Sequence, residues 1–211
     1  MEEGNYYEDF IINNHNLKIK CDKSKSYAGK IWDCAYVFSS FISSDLIKNK
    51  FKNKTVLEVG SGTGICGLIA ACLPINKIYL TDREENIEIL ENNYELNKKI
   101  LNSNCEVIIT PLDWNYIIDY KKIKDSIDIV IASDIIYHGV NYSSIINLLD
   151  HFASNNTVII LGYCNRISSS YEFFDKLEDN KKWEVKKLNQ NFIDEKYRDE
   201  SIIILLIKKI K

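Results

Sequence analysis

The sequence predicts an α/β protein, a doubly wound, Rossmann-like sheet of seven strands preceded by a short N-terminal hairpin and a helix. Three observations carry this. Strand-like and helix-like segments alternate from residue 55 onward. A glycine-rich turn follows the first of these strands directly. Two closing strand-like segments have no helix between them. Repeated βα units imply a parallel sheet covered by helices on both faces, and the closing pair implies an antiparallel edge.

The elements follow in order. Residues 6–22 contain two apolar–polar runs around Asn13-Asn14, a hairpin signal. Ile31, Trp32, Ala35, Phe38 and Ile42 recur at helical spacing, which predicts a helix over 30–48. Thr55–Val59 is an apolar strand running into glycines, and Ile65–Leu73 is a helix stopped by Pro74. Lys77–Thr81 is a strand and Glu84–Lys99 a long amphipathic helix. Glu106–Thr110 is a strand ended by Pro111, and Ile127–Ala132 is a strongly apolar strand. Ser143–Phe152 and Ser169–Leu177 are helices around a strand at Thr157–Gly162. Trp183–Leu188 and Ser201–Ile207 close the chain. We expect a single domain over residues 1–211, with 1–50 as hairpin and helix and 51–211 as core.

Composition narrows the function classes. With 211 residues and 45% hydrophobic content the chain can bury a substantial core. Twenty-seven basic residues are scattered among 30 acidic ones, so no basic footprint for nucleic acid is seen. The acidic N-terminus lacks an apolar run, and no stretch has the length of a membrane helix. The six cysteines form no C-x-x-C pair and have no His cluster beside them, so neither a zinc site nor a disulfide framework is expected. Reduced cysteines and the absence of a leader lead us to expect a cytoplasmic protein without a metal or a membrane partner.

The most informative segment is Glu58-Val59-Gly60-Ser61-Gly62-Thr63-Gly64-Ile65-Cys66-Gly67. Glycines after a strand permit a tight turn and close approach of a ligand to the backbone. Gly62-x-Gly64-x-x-Gly67 also satisfies the dinucleotide fingerprint, so the glycines alone leave the cofactor open. Glu58 discriminates: its carboxylate would repel a pyrophosphate but suits S-adenosylmethionine, which carries an ammonium and a sulfonium. Asp82, at the end of the next strand, is placed to accept ribose hydroxyls, each such bond contributing about 1.5–3 kcal/mol. That acid is shared by both nucleotide classes.

This E-x-G-x-G-x-G turn with its strand-end Asp resembles motif I and its following acid in class I (seven-strand) S-adenosylmethionine-dependent methyltransferases. The resemblance implies the strand order 3-2-1-4-5-7-6 with strand 7 antiparallel. Four further stretches are Gly29-Lys30-Ile31-Trp32-Asp33-Cys34-Ala35, Pro111-Leu112-Asp113-Trp114, Ser133-Asp134-Ile135-Ile136-Tyr137 and Tyr163-Cys164-Asn165-Arg166. In this order they resemble the eukaryotic non-SET protein-lysine methyltransferases, which modify elongation factors and chaperone-type ATPases.

The resemblance implies roles. Trp32 would fold over the cofactor, Trp114 would pack on the adenine, Asp113 would accept from its amine and Ser133 would contact the cofactor. Glu58, Gly60, Ser61, Gly62, Gly64 and Asp82 complete the binding set. Asp134 would sit near the transferred methyl and Tyr137 would shape the lysine channel, as the catalytic pair. Structural readings compete with each: a core Trp for Trp32, a turn residue for Asp113, a loop cap for Asp134. Arg166 is expected to order its loop. His138, beside Tyr137, is a candidate proton acceptor weighed against a structural or solvent-facing role, which is the reading preferred.

The expected activity is methyl transfer from S-adenosylmethionine to a lysine of a protein substrate by a monomer. Methylation of a small molecule or nucleic acid, an NAD-dependent oxidoreductase and a silent binding module are the alternatives. The stretch Ser133–Tyr137 lacks the prolines of nucleic-acid amino-methylases, and no Tyr-x-x-x-Lys pair of an oxidoreductase is evident. Residues 1–28, 138–145 and 189–200 are expected to choose the acceptor.

Overall fold

The structure, a computed structural model, describes residues 4–165, 169–179, 181–189, 191 and 193–210. Arg166 lies outside the described residues. Strands β1 (Asn5–Ile12) and β2 (His15–Asp22) form an antiparallel hairpin in which Ile12 faces His15. Its turn uses Asn13 at φ +49°, a conformation asparagine tolerates better than most residues. Helix α1 covers Asp33–Ile42, shorter than the periodicity of residues 30–48 suggests. At its start Trp32 is extended, with ψ 153°. At its end the Ser43 hydroxyl donates to the carbonyl of Ser39 at 2.6 Å, the local competition with the backbone that shortens Ser-rich helices.

The core follows as β3 (Thr55–Val59), α2 (Ile65–Ala71), β4 (Lys77–Asp82), α3 (Ile87–Asn97) and β5 (Glu106–Pro111). Then come α4 (Ile117–Tyr120), β6 (Ile129–Ser133), α5 (Tyr142–Phe152), β7 (Val158–Cys164), α6 (Ser169–Asp179), β8 (Trp183–Lys187) and β9 (Ile202–Lys209). Helix α4 was not anticipated, because a single turn is too short to display a period. The seven-stranded sheet has the order β5-β4-β3-β6-β7-β9-β8. Counted from β3 as the first core strand, this is 3-2-1-4-5-7-6, as expected. Strand β9 runs antiparallel to both β7 and β8.

Alternation along the strands sorts the core into two layers. Val56, Ile78, Leu80, Ile129, Ile131 and Ile160 face the hairpin and helices α1, α2 and α3. Leu57, Val59, Val130, Ala132, Ile159 and Leu161 face α5 and α6. The sheet is therefore covered on both faces. The edge strand β8 exposes Glu184, Lys186 and Lys187, charges that discourage edge-to-edge pairing.

The hairpin is joined to the core by an uncommon device. Two buried asparagines of α3 present their amides to the free edge of β2. Asn93 accepts from Lys20 N at 2.7 Å and donates to Lys20 O at 3.0 Å. Asn97 does the same to Lys18, both at 2.9 Å. The spacing works because four helical residues rise about 6 Å and two strand residues about 6.8 Å. The helix thus substitutes for a third strand.

Candidate active site

The parallel strands end at one edge, and the chain reverses its direction of winding between β3 and β6. Open α/β sheets bind ligands at such a switch point. The loops after β3 and β6 meet there: a Cβ built on Gly60 would lie 2.8 Å from Ile135 and 3.4 Å from Trp114. Loops following three strands therefore converge on one glycine.

The glycine loop is tied to the end of β4. Gly60 and Gly62 adopt φ of +68° and +54°, a region that favours residues without a Cβ. Ser61 N donates to Thr81 O at 2.8 Å, and Thr81 N donates to Ser61 Oγ at 3.0 Å. Gly62 N donates to Asp82 Oδ2 at 2.7 Å. Asp82 Oδ1 accepts from Asn86 Nδ2 at 2.7 Å and from Arg83 N at 2.8 Å. Asp82 is thus a brace for the loop, and Oδ2 retains a second lone pair for a hydroxyl. Gly64 caps α2 and does not line the cleft. Its Cβ would collide with Leu90 at 2.3 Å, so it serves packing.

Glu58 is buried at the floor of this cleft, 2% exposed. Burial pushes its carboxyl up to about 8, and the neighbouring Asp82 charge adds to this. The Ser61 hydroxyl and Gly67 N–H act in the opposite direction. Oε2 has no well-formed hydrogen bond among the described residues. Gly67 is required beneath it, since a Cβ there would lie 2.3 Å from that oxygen.

The loop after β6 carries the sequence-predicted catalytic pair. Ile135 and Ile136 are buried and anchor it, which leaves Asp134 and Tyr137 on the cleft lining. Asp134 adopts φ +57° and donates its N–H to Gly162 O at 2.8 Å. Its Oδ1 accepts from Cys164 N at 3.2 Å, which joins the loop to the end of β7. Tyr142 OH donates to Tyr137 O at 2.9 Å. Burial raises the Tyr137 phenol above its ordinary value. Ser133 lines the cleft near the thiols of Cys34 and Cys66. Burial pushes the Cys34 thiol up to about 12.

Trp114 reaches the cleft, whereas Asp113 does not line it. Asp113 Oδ1 accepts from Asn115 N and Nδ2 at 2.8 and 2.9 Å, the geometry of a turn. On the opposite side, residues 23–32 lie against the glycine loop. A Cβ on Gly62 would stand 3.3 Å from Ala28 O. Trp32 lines the cleft, and its Nε1 donates to Tyr27 O at 2.9 Å. His138 is exposed on a turn and is absent from the lining.

Sequence reasoning missed Tyr27, Lys30, Arg83 and Asn86, which also line the cleft. Arg83 and Asn86 could have been sought in the turn just beyond Asp82. Tyr27 and Lys30 stand within five residues of Trp32, but no motif of that segment singles them out.

The donor set fits S-adenosylmethionine. A deep, poorly compensated carboxylate suits a cationic amino acid, an acid-braced loop suits ribose, and the Trp114 face offers stacking area to a base. A diphosphate would meet the Glu58 carboxyl at the floor of the cleft.

Comparison with known proteins agrees. Residues 11–180 match the family model described as lysine methyltransferase. Protein N-lysine methyltransferase METTL21A of Danio rerio is 29% identical over 171 residues, covering 80% of this chain and 76% of that protein. Protein-lysine methyltransferase METTL21E of Mus musculus is 24% identical, covering 82% and 70%. Among solved structures, the T. thermophilus 16S rRNA N2 G1207 methyltransferase in complex with AdoMet and guanosine superposes with a TM-score of 0.69. It is 13% identical and covers 98% of this chain and 51% of that one, a likeness of fold alone.

Proposed function

The chain belongs to the lysine methyltransferase family, and from that premise we propose that it methylates the side-chain amine of a lysine in a protein substrate. An elongation factor or a chaperone-type ATPase is the substrate class we would test first. S-adenosylmethionine is the methyl donor of such enzymes. The observation that carries the reading is the placement of buried Glu58 and of Asp134 on one cleft, two acids suited to two cations.

In this reading Glu58 and the backbone of Gly60, Ser61 and Gly62 hold the amino-acid end of the cofactor. Asp82 takes the ribose, Trp114 and Ser133 flank the base and sulfur, and Asp113 holds the turn that carries Trp114. Gly64 holds the loop to α2, and Trp32 closes the cleft from the N-terminal side. When bound, the cofactor supplies a methyl group already activated by its positive sulfur.

The protein's own work is alignment and proton management. Asp134 attracts the cationic lysine and orients its nitrogen, so the encounter becomes effectively unimolecular. The amine must be neutral to attack, and its ordinary pKa is about 10.4. The Asp134 charge alone would raise that value. Desolvation beside Tyr137 and Ile135 lowers it and offsets the effect.

We further propose that residues 1–50 and 51–211 act as one domain, as a cytoplasmic monomer. No described helix is long and apolar enough to cross a membrane. The decisive experiment supplies the protein and labelled S-adenosylmethionine to an extract lacking the endogenous enzyme, followed by mass spectrometry. Methylated lysine in a discrete protein supports the proposal, and label confined to RNA or metabolites refutes it.

A further inference from the structure

We propose that Tyr27 forms, with Trp32 and Tyr137, a continuous aromatic wall along which the substrate's lysine side chain enters, so that Tyr27 determines specificity for the alkylammonium. This rests on the protein-lysine reading above.

The three rings come from two distant parts of the chain. Tyr27 and Trp32 belong to the segment between the hairpin and α1, and Tyr137 to the loop after β6. The Tyr27 and Tyr137 centroids are 5.3 Å apart with planes tilted by 33°. The Tyr27 and Trp32 rings stack at 5.9 Å and 27°. All three line the cleft that also holds Asp134.

Tyr27 is 61% exposed, so burial in the core does not account for its position. Ring stacking and the bond from Trp32 Nε1 to its own carbonyl hold it at the mouth. A lysine side chain joins an apolar stem to a cation. It matches a surface with aromatic faces along its length and a carboxylate at its end. The wall already receives one such group: the Lys30 ammonium lies 3.7 Å from the centre of the Trp32 ring.

The test uses full-length protein loaded with S-adenosylhomocysteine and titrated with n-butylammonium chloride. The Trp32 indole N–H resonance is followed by NMR. The wild type is expected to show a saturable shift, Tyr27→Ala to bind about threefold to tenfold more weakly, and Tyr27→Phe to restore wild-type binding. Unchanged affinity in Tyr27→Ala, or no saturable shift in the wild type, overturns the proposal. Calorimetry with S-adenosylhomocysteine on the same samples separates the two readings. Intact nucleoside binding with indifferent n-butylammonium binding removes only the wall, whereas failure of the wild type to bind the nucleoside removes the function on which it rests.

Discussion

Two acids of the cleft carry different burdens. Glu58 is a buried carboxyl whose folded value, about 8, lies above its ordinary 4.5. Its contribution to stability is therefore complete below about pH 4.5 and is lost as pH rises through about 8. Unfolding of ligand-free protein by urea should reveal this slope, and Glu58→Gln should flatten it. The same substitution should weaken S-adenosylmethionine by roughly tenfold or more in calorimetry, since a charge-assisted bond contributes about 1.5–3 kcal/mol. Cofactor uptake by the wild type near pH 7 should also release protons, visible as a dependence of heat on buffer. Asp134 is best replaced by Asn, which tolerates its φ of +57° and keeps the shape. We expect Asp134→Asn to lower kcat on the identified substrate about 100-fold while changing S-adenosylhomocysteine affinity less than threefold. Equal losses in both would move Asp134 out of the reaction centre.

At the scale of elements, the glycine turn is shaped by what covers it. Gly60→Ala adds a methyl in a left-handed conformation and presses it toward Ile135 at 2.8 Å. The backbone strain alone costs about 1–2 kcal/mol, and the displaced Ile135 should disturb the adjoining Asp134. Thermal unfolding and nucleoside binding should both worsen. The turn was legible because its glycines follow an apolar strand, and Asp82 because it ends the next. Asp113 and Gly64 each have a structural duty distinct from the one the motif implies: Asp113 is engaged by Asn115, and a Cβ on Gly64 would meet Leu90. The distinction depends on neighbours at other positions in the chain, which spacing does not encode. Helix α1 shows the same limit. Its apolar period continues past Ile42, but Ser43 bonds back to Ser39 and the helix ends.

For the whole molecule, the hairpin, α3 and the glycine loop form one linked system. Asn93 bonds to β2 and also donates to Thr63 O at 2.9 Å. Asn93→Ala would leave three backbone partners unmet, the buried Thr63 carbonyl and the half-buried Lys20 N–H and carbonyl, a loss of about 2 kcal/mol. Urea unfolding should show the loss as a single lowered midpoint if hairpin and core unfold together. An earlier separate transition of the hairpin would contradict a single domain. Nucleoside affinity should fall as well, because Thr63 belongs to the cleft lining.

The strand order followed only from the family resemblance, but the fold class and the floor of the cleft could be read from the residues themselves. They depend on apolar alternation, glycine placement and strand-end acids, all local in sequence and each with a direct physical meaning. Tertiary structure alone decided which side chains share the cleft mouth and how the hairpin is held. Tyr27 meets Tyr137 across 110 positions and Asn93 meets Lys20 across 73. Such pairings arise from the packing of already formed elements, where the energy resides in surfaces that touch only after the chain has folded.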